Sequence, residues 1–145
     1  MRLVMDIADA VAAELNAAEA GTFGESFTAE RQVLPDFSLA DLAQLRVTVV
    51  PKRVEITGAT RSASQYEIAV DIGIQKKLGR DLDAEVPILA TLADEIAEYL
   101  RRRPLAAAAW AAWVSIVNEP IYAPEHLAEQ RVFTSVLTVT YRALK

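Results

Sequence analysis

Within the stretch NEPIYAPEHLAEQ, the residues Asn118, Glu119, Tyr122, Glu125, His126 and Glu129 form the one polar cluster that invites a catalytic reading. An imidazole beside several carboxylates could hold a divalent ion or pass a proton between acid and base. On a helix, His126 and Glu129 would be neighbours on one face. The partners either chemistry needs are missing. His126 is the single histidine, there is no cysteine, and no paired-aspartate motif accompanies it. That removes most zinc sites and nearly every Ser-His-Asp arrangement. The stretch reads as a structured connecting loop or a contact surface, with a metal or acid–base site as the sharper alternative.

Other charged groups have plainer explanations. Asp81, Asp83 and Glu85 could mimic an acidic metal motif, but they stand where a helix begins and suit its positive end. Arg101, Arg102 and Arg103 could contact phosphate, yet they close the same helix and suit its negative end. Lys76, Lys77 and Arg80 leave a strand together and either meet an acidic partner or nucleic acid, or are simply solvated. Trp110 and Trp113 read as core or interface anchors. The five glycines, at 21, 24, 58, 73 and 79, match neither a phosphate loop nor a dinucleotide fingerprint. The serines and threonines lack a partner set for nucleophilic catalysis. No cofactor is expected, and the chain does not read as an enzyme.

The elements around these residues are dominated by two long alternating segments, residues 46–56 and 65–76, joined by a small polar stretch. In the second, Tyr66, Ile68, Val70, Ile72 and Ile74 share one face, and Gln65, Glu67, Ala69, Asp71, Gly73 and Gln75 the other. Sustained period-two alternation specifies an amphipathic antiparallel hairpin and leaves little freedom of register. Strands this long reach about 36 Å, more than a small core needs. Pro51 predicts an edge or a bulge, and Gly73 a bulge or a close backbone approach. The polar tip is expected to be mobile.

Around the hairpin, apolar spacing predicts a helix over 3–20 with Gly21 as its left-handed cap. A strand over 27–34 ends at Pro35. A short helix starts from a Ser38–Asp41 capping box and carries Leu39, Leu42 and Leu45. The main helix has Asp83 as its N-cap, a buried stripe of Val86, Leu89, Leu92, Ala93, Ile96 and Leu100, and Pro104 as its stop. A strand over 112–119 places Val114 and Ile116 on one face against Trp113, Ser115 and Val117. A helical turn over 125–130 precedes a last strand over 131–143. The fold class is α+β: a single domain with a mostly antiparallel sheet, a long protruding β-hairpin and helices packed on one face.

The chain has 145 residues, is 52% hydrophobic and carries a net charge of -5. One domain with a real core follows. The longest apolar run, 105–114, falls far short of the ~20 residues a membrane span needs. The first residues carry Asp6, Asp9 and Glu14 where a secretory signal would be basic and then apolar, so a mature, soluble, intracellular protein is expected. Charge is unevenly spread: residues 1–45 balance at -6, 46–80 at +4 and 81–100 at -6. A basic hairpin between acidic segments could engage acidic surface on a neighbouring copy, or could be ordinary solubilising pattern. It is too weakly basic for a duplex-DNA binder.

The segments VTVVPKRVEITGATRSASQYEIAVDIGIQKKL and WVSIVNEPIYAPEHLAEQRVFTSVLTVTYRAL resemble small proteins of tailed phages and prophages. The element order over nearly the whole chain is similar to that of tail-terminator, or tail-completion, proteins. The resemblance implies a small α+β subunit with a prominent hairpin, in a ring, commonly hexameric, that caps the tail tube below the neck. It implies tail-tube and neck proteins as partners, genomic DNA passing through the lumen without specific binding, and a place in the virion after assembly in the bacterial cytoplasm. Within such a ring, Arg53, Arg61, Tyr66, Lys76, Lys77 and Arg80 are expected at or near subunit contacts. A head-closure, neck or tail-tube protein is the alternative, and a small-molecule binder or enzyme using the 118–129 loop is a more distant one.

Overall fold

Alternation in residues 46–77 produces the hairpin it predicts. The computed structural model describes residues 3–145. Strand β2 (Arg46–Gly58) runs antiparallel to β3 (Ser64–Lys77), from Arg46 opposite Gln75 to Gly58 opposite Ser64. The last strand, β5 (Val132–Leu144), flanks β3 along nearly its whole length, from Gln65 opposite Leu144 to Lys77 opposite Val132. Strand β4 (Ala112–Asn118) lies outside β5, and β1 (Ala29–Arg31) pairs in parallel with the start of β2. The strand order is β1-β2-β3-β5-β4. The fold is α+β, and the hairpin is one side of a longer sheet rather than an isolated arm.

The apolar face of β3 is the floor of the core. Ile68, Val70, Ile72 and Ile74 are fully buried, beside Val47 and Val49 of β2 and Phe133, Leu137, Val139 and Tyr141 of β5. Two helices, α1 (Leu3–Asn16) and α2 (Leu82–Leu100), cover this face. They contribute Ile7, Val11 and Leu15 from one and Leu89, Leu92, Ile96 and Leu100 from the other. Each such side chain is worth about 1.5–3 kcal/mol on burial, so the helices are held mainly by this stripe. A third, short helix, α3 (Pro124–Gln130), packs along β5, where His126 Nδ1 lies 2.8 Å from Thr134 Oγ1.

Several expectations are corrected. Helix α1 stops at Asn16 rather than Ala20, because the Asn16 amide takes up both backbone groups of Ala29. Gly21 does have a positive φ of 90°, but in the turn beyond the helix rather than at its cap. Strand β1 is three residues long; after Gln32 donates to Val49 O, Val33 and Leu34 turn out to solvent before Pro35. The Ser38–Asp41 capping box forms reciprocally, each backbone N–H reaching the other side chain at 3.1 Å. It starts only a 3-10 turn, Asp41–Ala43, since β2 begins at Arg46. The N-cap of α2 is Asp81, whose carboxylate accepts from Ala84 N, with Asp83 in the first turn. Glu85 accepts from Gly79 N at 2.9 Å and draws the chain into the helix at that earlier point.

Strand β4 also departs from simple alternation. Its pairing with β5 shifts between Trp113 and Ser115, so Val114 is an extra residue. Trp113 and Ile116 therefore share the core side, where Val114 and Ile116 were expected together. In β2 the shift lies between Pro51 and Arg53, at the proline that cannot donate to the ladder. Gly73 continues its ladder without a shift and is instead a close approach: a Cβ there would meet Thr48 Oγ1 at 3.0 Å.

Candidate functional site

The feature that local packing leaves unfinished is the far end of the hairpin. Past the bulge at Lys52, Val54 pairs with Ile68 and Ile56 with Tyr66, which puts both apolar residues on the helix-covered side of the sheet. The packing that buries their neighbours Ile68 and Tyr141 does not extend to the β2 edge, and Val54 is 38% and Ile56 57% exposed. Strand β1 pairs with residues 47–49, and among the described residues the outer edge of β2 beyond that point carries no strand. The tip folds back through Ala59 N and Thr60 N donating to Ala63 O, while the Thr60 hydroxyl accepts from Ser62 N and Ala63 N. On the opposite side of the sheet, charges are paired within the chain. Lys52 Nζ lies 3.4 Å from Asp71 Oδ1, which accepts from the Thr138 hydroxyl at 2.6 Å, and Arg142 bonds Glu67 at 2.7 Å.

The six residues expected at subunit contacts fall into two groups. Arg53, Arg61 and Tyr66 stand at the tip end, where Arg53 is 3.8 Å from Glu55 and Tyr66 is half-buried against the core. Lys76, Lys77 and Arg80 stand at the other end of β3. Lys76 lies ten positions beyond Tyr66 on β3, roughly 33 Å at the strand rise, so the two groups stand at opposite ends of the strand. Lys76 lines an open groove of about 670 Å³ together with Phe27, Phe37, Leu45 and Val47. Beside it, Arg46 donates to Asp41 O and stacks over Phe37, 5.4 Å from its centroid.

Within the 118–129 cluster, Asn118 and His126 hold the loop to β5. The Asn118 side-chain amide donates to Val136 O (2.8 Å), Ser135 Oγ (2.9 Å) and Pro120 O (3.3 Å). His126 meets Thr134, and Ala123 N donates to Thr134 O. Among the described residues, no group of three or more histidines and carboxylates gathers as metal ligands. The arginines after α2 lie just past its last turn rather than within it. Arg101 pairs with Glu98 at 3.2 Å, and Arg103 donates to Tyr99 O while its guanidinium sits 3.9 Å above the Tyr99 ring. Trp113 packs on the core, and Trp110 is 40% exposed.

A further surface went unnoticed in the sequence. The outer face of α2 carries Pro87, Ile88 and Thr91, with Ile88 52% exposed. These residues, with Gly24, Glu25 and Glu95, line a depression of about 330 Å³, and Glu95 Oε1 accepts from Gly24 N. Ile88 stands one residue before Leu89 of the buried stripe, which was the available signal that an apolar side chain points outward. No known protein family matches this chain, and no curated protein matches it. Among the described residues, no helix is long and apolar enough to cross a membrane.

Proposed function

We propose that this chain is a structural virion subunit, a tail terminator that forms a ring, caps the tail tube and joins it to the neck. The observation that carries the reading is the apolar pair Val54 and Ile56, left exposed on the core side of the sheet where β2 forms its outer edge. An apolar pair left open at a sheet edge stabilises nothing in an isolated subunit, whereas a neighbour can complete its cover. The resemblance of the hairpin and C-terminal segments to tail-terminator proteins supplies the role. In this reading the chemistry is steric and non-covalent. The ring stops tube polymerisation on one face, presents the other to the neck, and lets DNA through its lumen without specific binding.

Negative-stain microscopy of the purified chain tests this. Closed rings at low salt are the expected result. Long spontaneous tubes would instead mark a tail-tube subunit, and a chain that stays monomeric at every concentration and salt would overturn the reading.

A further inference from the structure

We infer that the acidic outer face of α2, centred on Ile88, seats the hairpin end of a second copy of this chain, with Ile56 as the apolar plug. The inference rests on the ring reading and names the contact within it. Helix α2 holds Asp83, Glu85, Asp94, Glu95 and Glu98 and no basic residue. Steps of three and four along its exposed side pass through Ala84, Ile88, Thr91, Glu95 and Glu98, with Asp94 beside them. Glu25 closes the depression from the neighbouring loop. The result is an apolar patch at Pro87 and Ile88 flanked by the Glu25 and Glu95 carboxylates, with Asp94 and Glu98 further along the helix. An apolar centre with polar flanks is the anatomy of a protein–protein contact.

The hairpin end has the complementary make-up. Ile56 is its most exposed large apolar side chain, and Lys52, Arg53 and Arg61 outnumber Glu55 between residues 52 and 63. The two surfaces cannot meet within one chain. Ile88 lies near the start of α2, which begins five residues beyond the Lys77 end of β3, and Ile56 pairs with Tyr66 near the opposite end. Plug and seat are different surfaces, so the contact is head-to-tail, the kind that closes into rings rather than two-fold dimers. Its cationic and acidic rims make it sensitive to salt.

Sedimentation velocity on two single variants and their mixture tests the contact. Ile56→Glu spoils the plug and leaves the seat; Ile88→Lys spoils the seat and leaves the plug. Each alone is expected to be monomeric where the wild type assembles, with self-association weakened at least about tenfold. Mixed in equal amounts, they should form a dimer and nothing larger, because one intact plug and one intact seat remain. The double variant Asp94→Lys/Glu98→Lys, at exposed helix positions, should weaken assembly in the same way and guards against a single variant that fails to fold; circular dichroism checks each. If all of these variants assemble like the wild type, the seat is wrong and the ring reading stands. If the single variants are monomeric but their mixture stays monomeric, the pairing of Ile56 with Ile88 is overturned. A wild type that never self-associates removes both the seat and the ring.

Discussion

Trp113 stands directly opposite Tyr141 across the β4–β5 pair, and neither the indole N–H nor the phenol hydroxyl has a hydrogen-bond partner among the described residues. Tyr141 is fully buried. Burial pushes its phenol well above the ordinary tyrosine value, and the Glu14 carboxylate adds to the shift. A buried hydroxyl without a partner is a cost that the ring around it has to offset.

Replacing Tyr141 with Phe keeps the ring and removes that cost. The variant should be as stable as the wild type or gain up to about 1 kcal/mol at neutral pH, read from urea melts. The pH dependence has a definite sign. The folded phenol keeps its proton to higher pH than the unfolded one, so the folded state binds more protons once pH passes about 10. Wild-type stability should fall from there upward, and Tyr141→Phe should lose less over the same range. An identical alkaline decline in both proteins would contradict the assignment.

Gly73 and Thr48 face each other across the β2–β3 pair in a close approach that a substitution can probe. Thr48 is 3% exposed, so its hydroxyl has little room to retreat from a methyl placed 3.0 Å away. Gly73→Ala should destabilise by about 1 kcal/mol. In the Thr48→Ala background the same change should be neutral, a coupling of about 1 kcal/mol in a double-mutant cycle. Equal effects in both backgrounds would show that the threonine is not what excludes the side chain.

Asn118 and His126 make different demands on the β4–β5 loop. Asn118→Ala removes donors to two backbone carbonyls and to the Ser135 hydroxyl, and should cost about 1–2 kcal/mol. His126→Ala, at an exposed position with a single bond to Thr134, should stay within about 0.5 kcal/mol. Ring assembly should survive His126→Ala. A loss of assembly with unchanged stability would move the functional surface to this loop.

Strands read more truly than helix ends in this chain, and the reason is physical. Alternation in β3 reports burial on one face, and burial is what fixed its register, so Ile68 to Ile74 lie where the pattern puts them. The ends of α1 and α2 were settled by polar side chains with more than one possible partner. Asn16 could have continued a helix and instead pairs with Ala29; Asp81 and Asp83 could each have capped, and the Gly79–Glu85 bond favours the first. The Val114 bulge lay beyond local reading because an inserted residue in a run of apolar residues leaves no break in composition.

The sequence by itself determined the class of fold, the hairpin, the capping box at Ser38 and the irregularity at Pro51, since each follows from periodicity or from a group a residue lacks. Tertiary structure alone decided that β5 flanks β3, that the basic residues separate to opposite ends of one strand, and that Ile56 is left uncovered. Those facts depend on how segments far apart in the chain pack against one another, which the spacing of residues within either segment does not encode.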